Sequence, residues 1–240
     1  MKYLIASDIH GSAYWTERLC AAIESEQPDR IVLLGDLLYH GPRNDLPRDY
    51  APKRVIPLLN ALADRIIAVR GNCDAEVDQM VLDFPVMADY ATLFDETGRE
   101  LFLTHGHVFG AGMHNSVDHA PALPEGSALV YGHTHIKVNE ESAAHPGLWL
   151  FNPGSVSIPK DGTHSYGIYE GGTFRHVILE EDLPWQSTWL SKMPRARAIC
   201  PRWSMRRPSC SIWCRPSGVC VSPMAARGIA NRHTAALART

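Results

Sequence analysis

The chain has 240 residues, 45% hydrophobic and 20% charged, enough for one large domain with a sizeable core, alone or with an appendage. No apolar stretch approaches the roughly 20 residues of a membrane span. The run after Met1-Lys2 is too short for a secretory leader, so a cytoplasmic protein with no membrane partner is expected. The net charge of -3 conceals a split: residues 1–182 carry 13 basic against 26 acidic side chains, a net -13, while residues 183–240 carry ten basic and no acidic ones, a net +10.

Lys2 to Ser7 reads as a buried strand that ends at Asp8-x-His10. Leu19, Ala22 and Ile23 recur at helical spacing within Trp15–Glu26, with Ser12 and Thr16 as candidate caps. Arg30 to Gly35 is a continuous apolar run, the pattern of a strand covered on both faces, and it ends at Gly35-Asp36. A Pro-rich loop over 39–52 precedes a helix over 53–62 that contains Pro57. A strand over 65–69 leads to Gly71-Asn72, and a short helix is expected over 75–82. Strands then dominate: 100–104, followed by Thr104-His105-Gly106; 127–131, followed by Gly132-His133-x-His135; and 148–151. Gly171-Gly172 marks a hairpin between strands over 166–170 and 173–179. The sum is an α/β half followed by a β-rich half, with no internal repeat.

Five motifs therefore close five strand-like runs. Together they offer Asp8, His10, Asp36, Asn72, His105, His133 and His135, oxygen and nitrogen donors suited to a pair of divalent metal ions. Taken singly, Asp-x-His is a weak signal and Gly-Asp is more often a turn; the repetition at strand ends carries the reading. Side chains at i and i+2 of an extended segment point the same way, so Asp8 with His10, and His133 with His135, are each expected to chelate one ion together. Asp36 is expected at the carboxyl edge of the sheet, where α/β folds place ligand sites, and its two oxygens allow it to bridge two cations.

The ordered set resembles the calcineurin-like metallophosphoesterases, and within them the small bacterial YfcE-type phosphodiesterases. Ser7-Asp8-Ile9-His10-Gly11, His40-Gly41-Pro42-Arg43-Asn44, Arg70-Gly71-Asn72-Cys73-Asp74, Leu103-Thr104-His105-Gly106-His107 and Asn152-Pro153-Gly154-Ser155 carry the closer resemblance, which covers about residues 1–180. It implies an α/β fold, a β-sandwich flanked by helices in α-β-β-α layers. It further implies hydrolysis of a small phosphodiester substrate, with two metal ions: Mn2+ first, and Fe, Zn, Co or Ni admissible. By resemblance, Asp8, His10 and His135 would hold one ion, Asn72, His105 and His133 the second, and Asp36 both. Homo-oligomer formation through the β-rich half is a further implication.

Asp36, Asn72 and Cys73 are the candidate catalytic residues, and Arg70 and His107 the candidate substrate-binding ones. Many family members have His where this chain has Cys73, and that His is thought to act as a general acid on the leaving group. A thiol is the poorer donor, so activated diesters are the expected substrates. The bland alternative for Cys73 is a packed small residue; a redox-sensitive thiol is another. Arg43 and Arg70 could meet a phosphate or form ordinary ion pairs. His40, His114, His119, His145 and His164 are expected as polar loop residues.

Residues 183–240 read as a disordered segment or a non-native reading frame, rich in Cys, Trp, Pro and Arg. A basic arm for nucleic acid and a small genuine domain are the alternatives, and among Cys200, Cys210, Cys214 and Cys220 only Cys210-x3-Cys214 has the pair spacing of a zinc ribbon. Two other functional readings stand beside the phosphodiesterase: a non-catalytic protein-binding scaffold on the same fold, and a nucleic-acid-directed hydrolase using the tail.

Overall fold

The computed structural model describes residues 1–109 and 119–181. The expectations for His114, the four tail cysteines and residues 183–240 lie outside the described residues. Strand and helix alternate first: β1 (Tyr3–Ala6), α1 (Ala13–Glu26), β2 (Arg30–Leu33), α2 (Pro52–Asn60), β3 (Ile66–Ala68) and α3 (Glu76–Gln79). Strands follow: β4 (Tyr90–Phe94), β5 (Glu100–Thr104), β6 (Ala128–Val130), β7 (Lys137–Glu141), β8 (Trp149–Pro153), β9 (Ser165–Glu170) and β10 (Thr173–Ile178). One sheet has the order β10-β9-β1-β2-β3, the other β4-β5-β6-β8-β7. The three N-terminal strands run parallel, as do β5, β6 and β8.

The period-two alternation of each strand sorts its side chains into layers. Leu4, Ile31, Leu33 and Ile168 turn outward to meet Leu19 and Ile23 of α1 and Val55 and Leu59 of α2. Ile5, Val32 and Tyr169 turn inward to meet Leu103, Val130 and Phe151 across the sandwich. The apolar run of β2 thus has the cause expected of it, since both its faces are covered. Phe102, Leu129 and Tyr131 face outward from the second sheet, where the described residues packed on them include Phe109, of the 3-10 turn His107–Phe109, and Leu123. The result is a mixed α/β sandwich with few helices.

Ser12 caps α1 by accepting the Trp15 N–H at 3.3 Å. Thr16 is no cap: it lies inside the helix and donates to the Ser12 carbonyl at 2.6 Å. The helix expected over 75–82 contracts to one turn, because the Gln79 side chain is held by the carbonyls of Leu82 and Phe84 and the Val86 N–H, which draws the chain into a loop. Strands β4 and β7 are additions to the expected set; both are sheet edges whose residues are half-buried or exposed. Among the described residues no helix is long and apolar enough to cross a membrane.

Candidate metal centre

Because β1, β2 and β3 are parallel, their carboxyl ends share one edge, and the turns bearing Asp8, His10, Asp36 and Asn72 leave from it. The second sheet brings His105 from the end of β5 and His133 and His135 from the turn after β6. Backbone bonds knit these turns together: His10 N–H to the Asp36 carbonyl at 2.8 Å, Gly132 N–H to the His105 carbonyl at 3.1 Å, and His133 N–H to the Asp8 carboxylate at 3.1 Å.

The conformation of the turns corrects the extended-chain argument. Asp8, His10, Asp36, His133 and His135 all have left-handed backbone, with φ of 58°, 47°, 56°, 67° and 60°. Each such non-glycine residue costs about 1 kcal/mol or more, and clustering of that strain is a feature of functional sites. The same spacing has opposite outcomes: Asp8 and His10 stay in one group, whereas His133 and His135 part company. Ligating atoms of Asp8, His10 and His135 form one group, and those of Asp36, His105 and His133 another. Two glycines permit the crowding: a Cβ on Gly71 would collide with the Asp36 carboxylate, and one on Gly132 with the Ser7 hydroxyl.

In the first group, Asp8 Oδ1 lies 3.1 Å from His135 Nε2 and 3.6 Å from His10 Nε2, and the two imidazole nitrogens lie 3.3 Å apart. In the second, His105 Nε2 is 3.1 Å from Asn72 Oδ1 and 3.2 Å from His133 Nδ1. Asp36 Oδ2 stands between the groups, 3.7 Å from His10 Nε2 and 3.5 Å from His105 Nε2.

The orientation of the rings decides what the cluster fits. Nδ1–H of His10, His105 and His135 is given to the carbonyls of Tyr39, Leu34 and Ile158 at 2.9, 2.6 and 2.6 Å. A carbonyl only accepts, so in the neutral rings the lone pairs are on Nε2, all directed into the cluster, the arrangement that metal-binding imidazoles adopt. Lone pairs of His10 and His135 then face each other, and Asp8 Oδ1 is buried without a hydrogen-bond partner. Neutral rings packed this closely present only lone pairs to one another and to the carboxylates, which fits cations.

The charges are mutually dependent. Burial works against ionisation of Asp8 and Asp36, but the imidazoles, led by His135 for Asp8 and His105 for Asp36, hold both carboxyls below their ordinary range. Burial likewise opposes protonation of His105, and the Asp36 charge overrides it, raising His105 to about 9. His133, buried beside His105, is pushed down to about 4.

Around this cluster a cleft of about 220 Å³ is lined by Asp36, Asn72, His133 and His135 together with Arg43, Asn44 and Lys160. A larger depression of about 530 Å³ near Phe94, Arg99 and Ser127 holds none of the ligating groups. Arg43 therefore lies where a phosphate would need it. Arg70 does not: its guanidinium pairs with Asp89 at 2.6 Å, and it is absent from the cleft lining. His107 is buried against the rings of His105 and His133, outside the cleft lining, and burial followed by the His105 charge lowers it to about 4. His164, expected as a solvated loop residue, is half-buried and stacks on Trp15 at 3.5 Å.

Cys73 donates its backbone N–H to Asp36 Oδ1 at 2.8 Å, and burial, then the Asp36 charge, pushes its thiol up. Sequence reasoning passed over Asp74 and Lys160. Asp74 is buried and accepts the N–H groups of Asp36, Leu37 and Gly71. Ser155 and Ser157 donate to the Asp8 carbonyl, and Asn152 to the Gly132 carbonyl, so the segment over 152–157, expected to shape the wall of the site, braces the turns that bear Asp8 and His133 and lies outside the cleft lining. Lys160 gives its N–H to the His135 carbonyl at 3.0 Å; nothing in its sequence neighbourhood signals this.

The sequence model for the calcineurin-like phosphoesterase superfamily domain matches residues 1–173. Phosphodiesterase YfcE of Escherichia coli strain K12 is 47% identical over 182 residues, spanning 75% of this chain and 94% of that protein. A solved structure of YfcE, described as a phosphoesterase from E. coli, aligns with a TM-score of 0.66 at 44% identity, over 75% of this chain and 100% of that one. A solved archaeal phosphodiesterase shares the fold at 24% identity and a TM-score of 0.53, over 75% of this chain and 100% of its own.

Proposed function

The chain belongs to the calcineurin-like phosphoesterase superfamily, and from that premise we propose that it is a phosphodiesterase that works with two divalent metal ions. The observation that carries this reading is the placement of Asp36 Oδ2 between two donor groups, within 3.7 Å of His10 and 3.5 Å of His105. Asp8, His10 and His135 would hold one ion, Asn72, His105 and His133 the other, and Asp36 both. The mixture of oxygen and imidazole donors suits Mn2+, with Fe, Zn, Co or Ni as substitutes. When bound, the two cations supply stabilisation of phosphoryl charge and a nucleophile at neutral pH.

The remaining duties fall to the chain. Arg43 and Lys160 bring positive charge to the cleft, and Asn44 and Asn72 bring amides, a set that complements a phosphodiester anion. Hydrolysis forms one P–O bond from water and breaks another, releasing an alcohol and a phosphomonoester. The Cys73 backbone N–H occupies Asp36 Oδ1 and so leaves Oδ2 to face both groups. The Cys73 thiol, pushed up by burial and Asp36, gives protons away reluctantly. Alcohols that leave without a proton are therefore the favoured leaving groups.

All seven ligand positions are filled, which favours an enzyme over a scaffold. We place the activity in residues 1–182. A hydrolysis screen of the Mn2+-reconstituted protein over phosphomonoesters, activated linear diesters, cyclic nucleotides and DNA tests the reading. Activated linear diesters should be cleaved fastest; activity confined to monoesters would overturn it.

A further inference from the structure

The metal cluster opens on two surfaces of opposite character. The cleft of about 220 Å³ is polar and lies under the roughly 300 Å³ at which small-molecule sites usually begin, so it suits a phosphoryl group better than a whole diester. A groove of about 380 Å³ begins beside it, lined by Tyr39, Tyr50, Ile56, Cys73, Val77 and Val81. Its one carboxylate, Asp78, is turned to the Ala75 N–H at 2.9 Å. The groove starts at the metal ligands themselves. The Cys73 thiol lies within 4.8 Å of ligating atoms of His10 and Asp36, and the Tyr39 carbonyl accepts from His10 Nδ1. Its apolar rim is open: Val77 is 64% exposed, Tyr39 43% and Val81 41%.

We propose that this groove is a substrate subsite that takes an aryl ester substituent of the phosphodiester while the phosphoryl group sits in the cleft. The proposal rests on the phosphodiesterase reading above and supplies its substrate class: diesters with at least one flat apolar arm. An anionic phosphoryl group cannot use a wall of Ile and Val, and an aryl ring gains little from Arg43 and Lys160. The junction at Cys73 lets one molecule satisfy both surfaces.

Equilibrium binding of diphenyl phosphate and dimethyl phosphate to the full chain loaded with Mn2+, by titration calorimetry, tests this without requiring turnover. Diphenyl phosphate should bind about tenfold tighter, the fold-change that accompanies burial of roughly half of one ring. Val77→Asp charges an exposed position of the groove without entering the core, and should erase most of that preference; Val77→Leu should retain it. Equal binding of the two diesters, or a preference that survives Val77→Asp, overturns the proposal. A groove filled by a protein segment would give the first of these results. If the chain binds diphenyl phosphate through Val77 but cleaves no diester, the groove stands and the phosphodiesterase reading falls. If it cleaves diesters with no aryl preference, the groove alone falls.

Discussion

Asp74 ties two turns to each other through three backbone N–H groups: Asp36 and Gly71 at 2.8 and 2.7 Å on one oxygen, and Leu37 at 2.8 Å on the other. Burial and the Asp36 charge push this carboxyl up, and the N–H bonds hold it down, so its ionisation depends on keeping all three. Asp74→Asn turns an NH2 group toward at least one of those donors and should cost about 2–4 kcal/mol in urea unfolding; an unchanged midpoint would refute the role. At the neighbouring position, a plot of log kcat/KM against leaving-group pKa should fall steeply, because no strong acid stands there. Cys73→His should flatten it and speed the poorest leaving groups up to about a hundredfold; a flat plot in the unaltered protein would count against a missing acid. The seven candidate ligands stand out in the sequence because the five motifs that hold them each close an apolar run. Strand spacing alone did not convey how they group, which came only from the family resemblance, because the turns that carry them take left-handed φ values that Asp and His adopt only under tertiary constraint. Arg70 is paired instead with Asp89, which lies beyond α3 in the chain, a partner no local motif signals.

Among the elements, those with buried faces on both sides could be read directly, and the edge strands β4 and β7 of the second sheet could not. β7 is Lys-Val-Asn-Glu-Glu, whose polar residues lie at a solvated edge and carry no apolar period. The turn between β4 and β5 makes the hairpin and also joins the sheets. Asp95 Oδ1 accepts Thr97 N–H, Thr97 hydroxyl and Arg99 N–H, while Oδ2 accepts the Tyr169 hydroxyl of β9 at 2.6 Å. Burial opposes its charge, but the Tyr169 and Thr97 bonds prevail and hold this carboxyl well below its ordinary range. The folded pKa is thus below the unfolded one of about 3.9. The unfolded chain takes up the proton first, so this contribution is complete above that pH and is lost as pH falls through it toward the folded value. Thermal unfolding across acid pH should show a decline that Asp95→Asn makes shallower; identical slopes would contradict the assignment.

For the whole molecule, the charge boundary at Asp182 and the family match over residues 1–173 fall close together. A chain ending at Asp182 should hydrolyse a small diester as the full chain does. Loss of that activity would refute the proposed boundary, and loss of nucleic-acid binding alone would assign the +10 segment an arm's role. The division into an α/β half and a β-rich half was legible from the pattern of strands and helices, the layered fold only through the family resemblance, and the candidate site from strand-end motifs. Lys160 was not, because it reaches the cleft only through the turn that follows Ser157. Hydrolysis with two ions requires Asp36 to serve both. Metal-free protein should be titrated with Mn2+ while the initial rate of bis(4-nitrophenyl) phosphate hydrolysis is followed. Activity should be absent without metal, saturate at two equivalents, and be absent at any Mn2+ concentration in Asp36→Ala. Saturation at one equivalent, or hydrolysis that persists under chelator, would contradict two-ion hydrolysis.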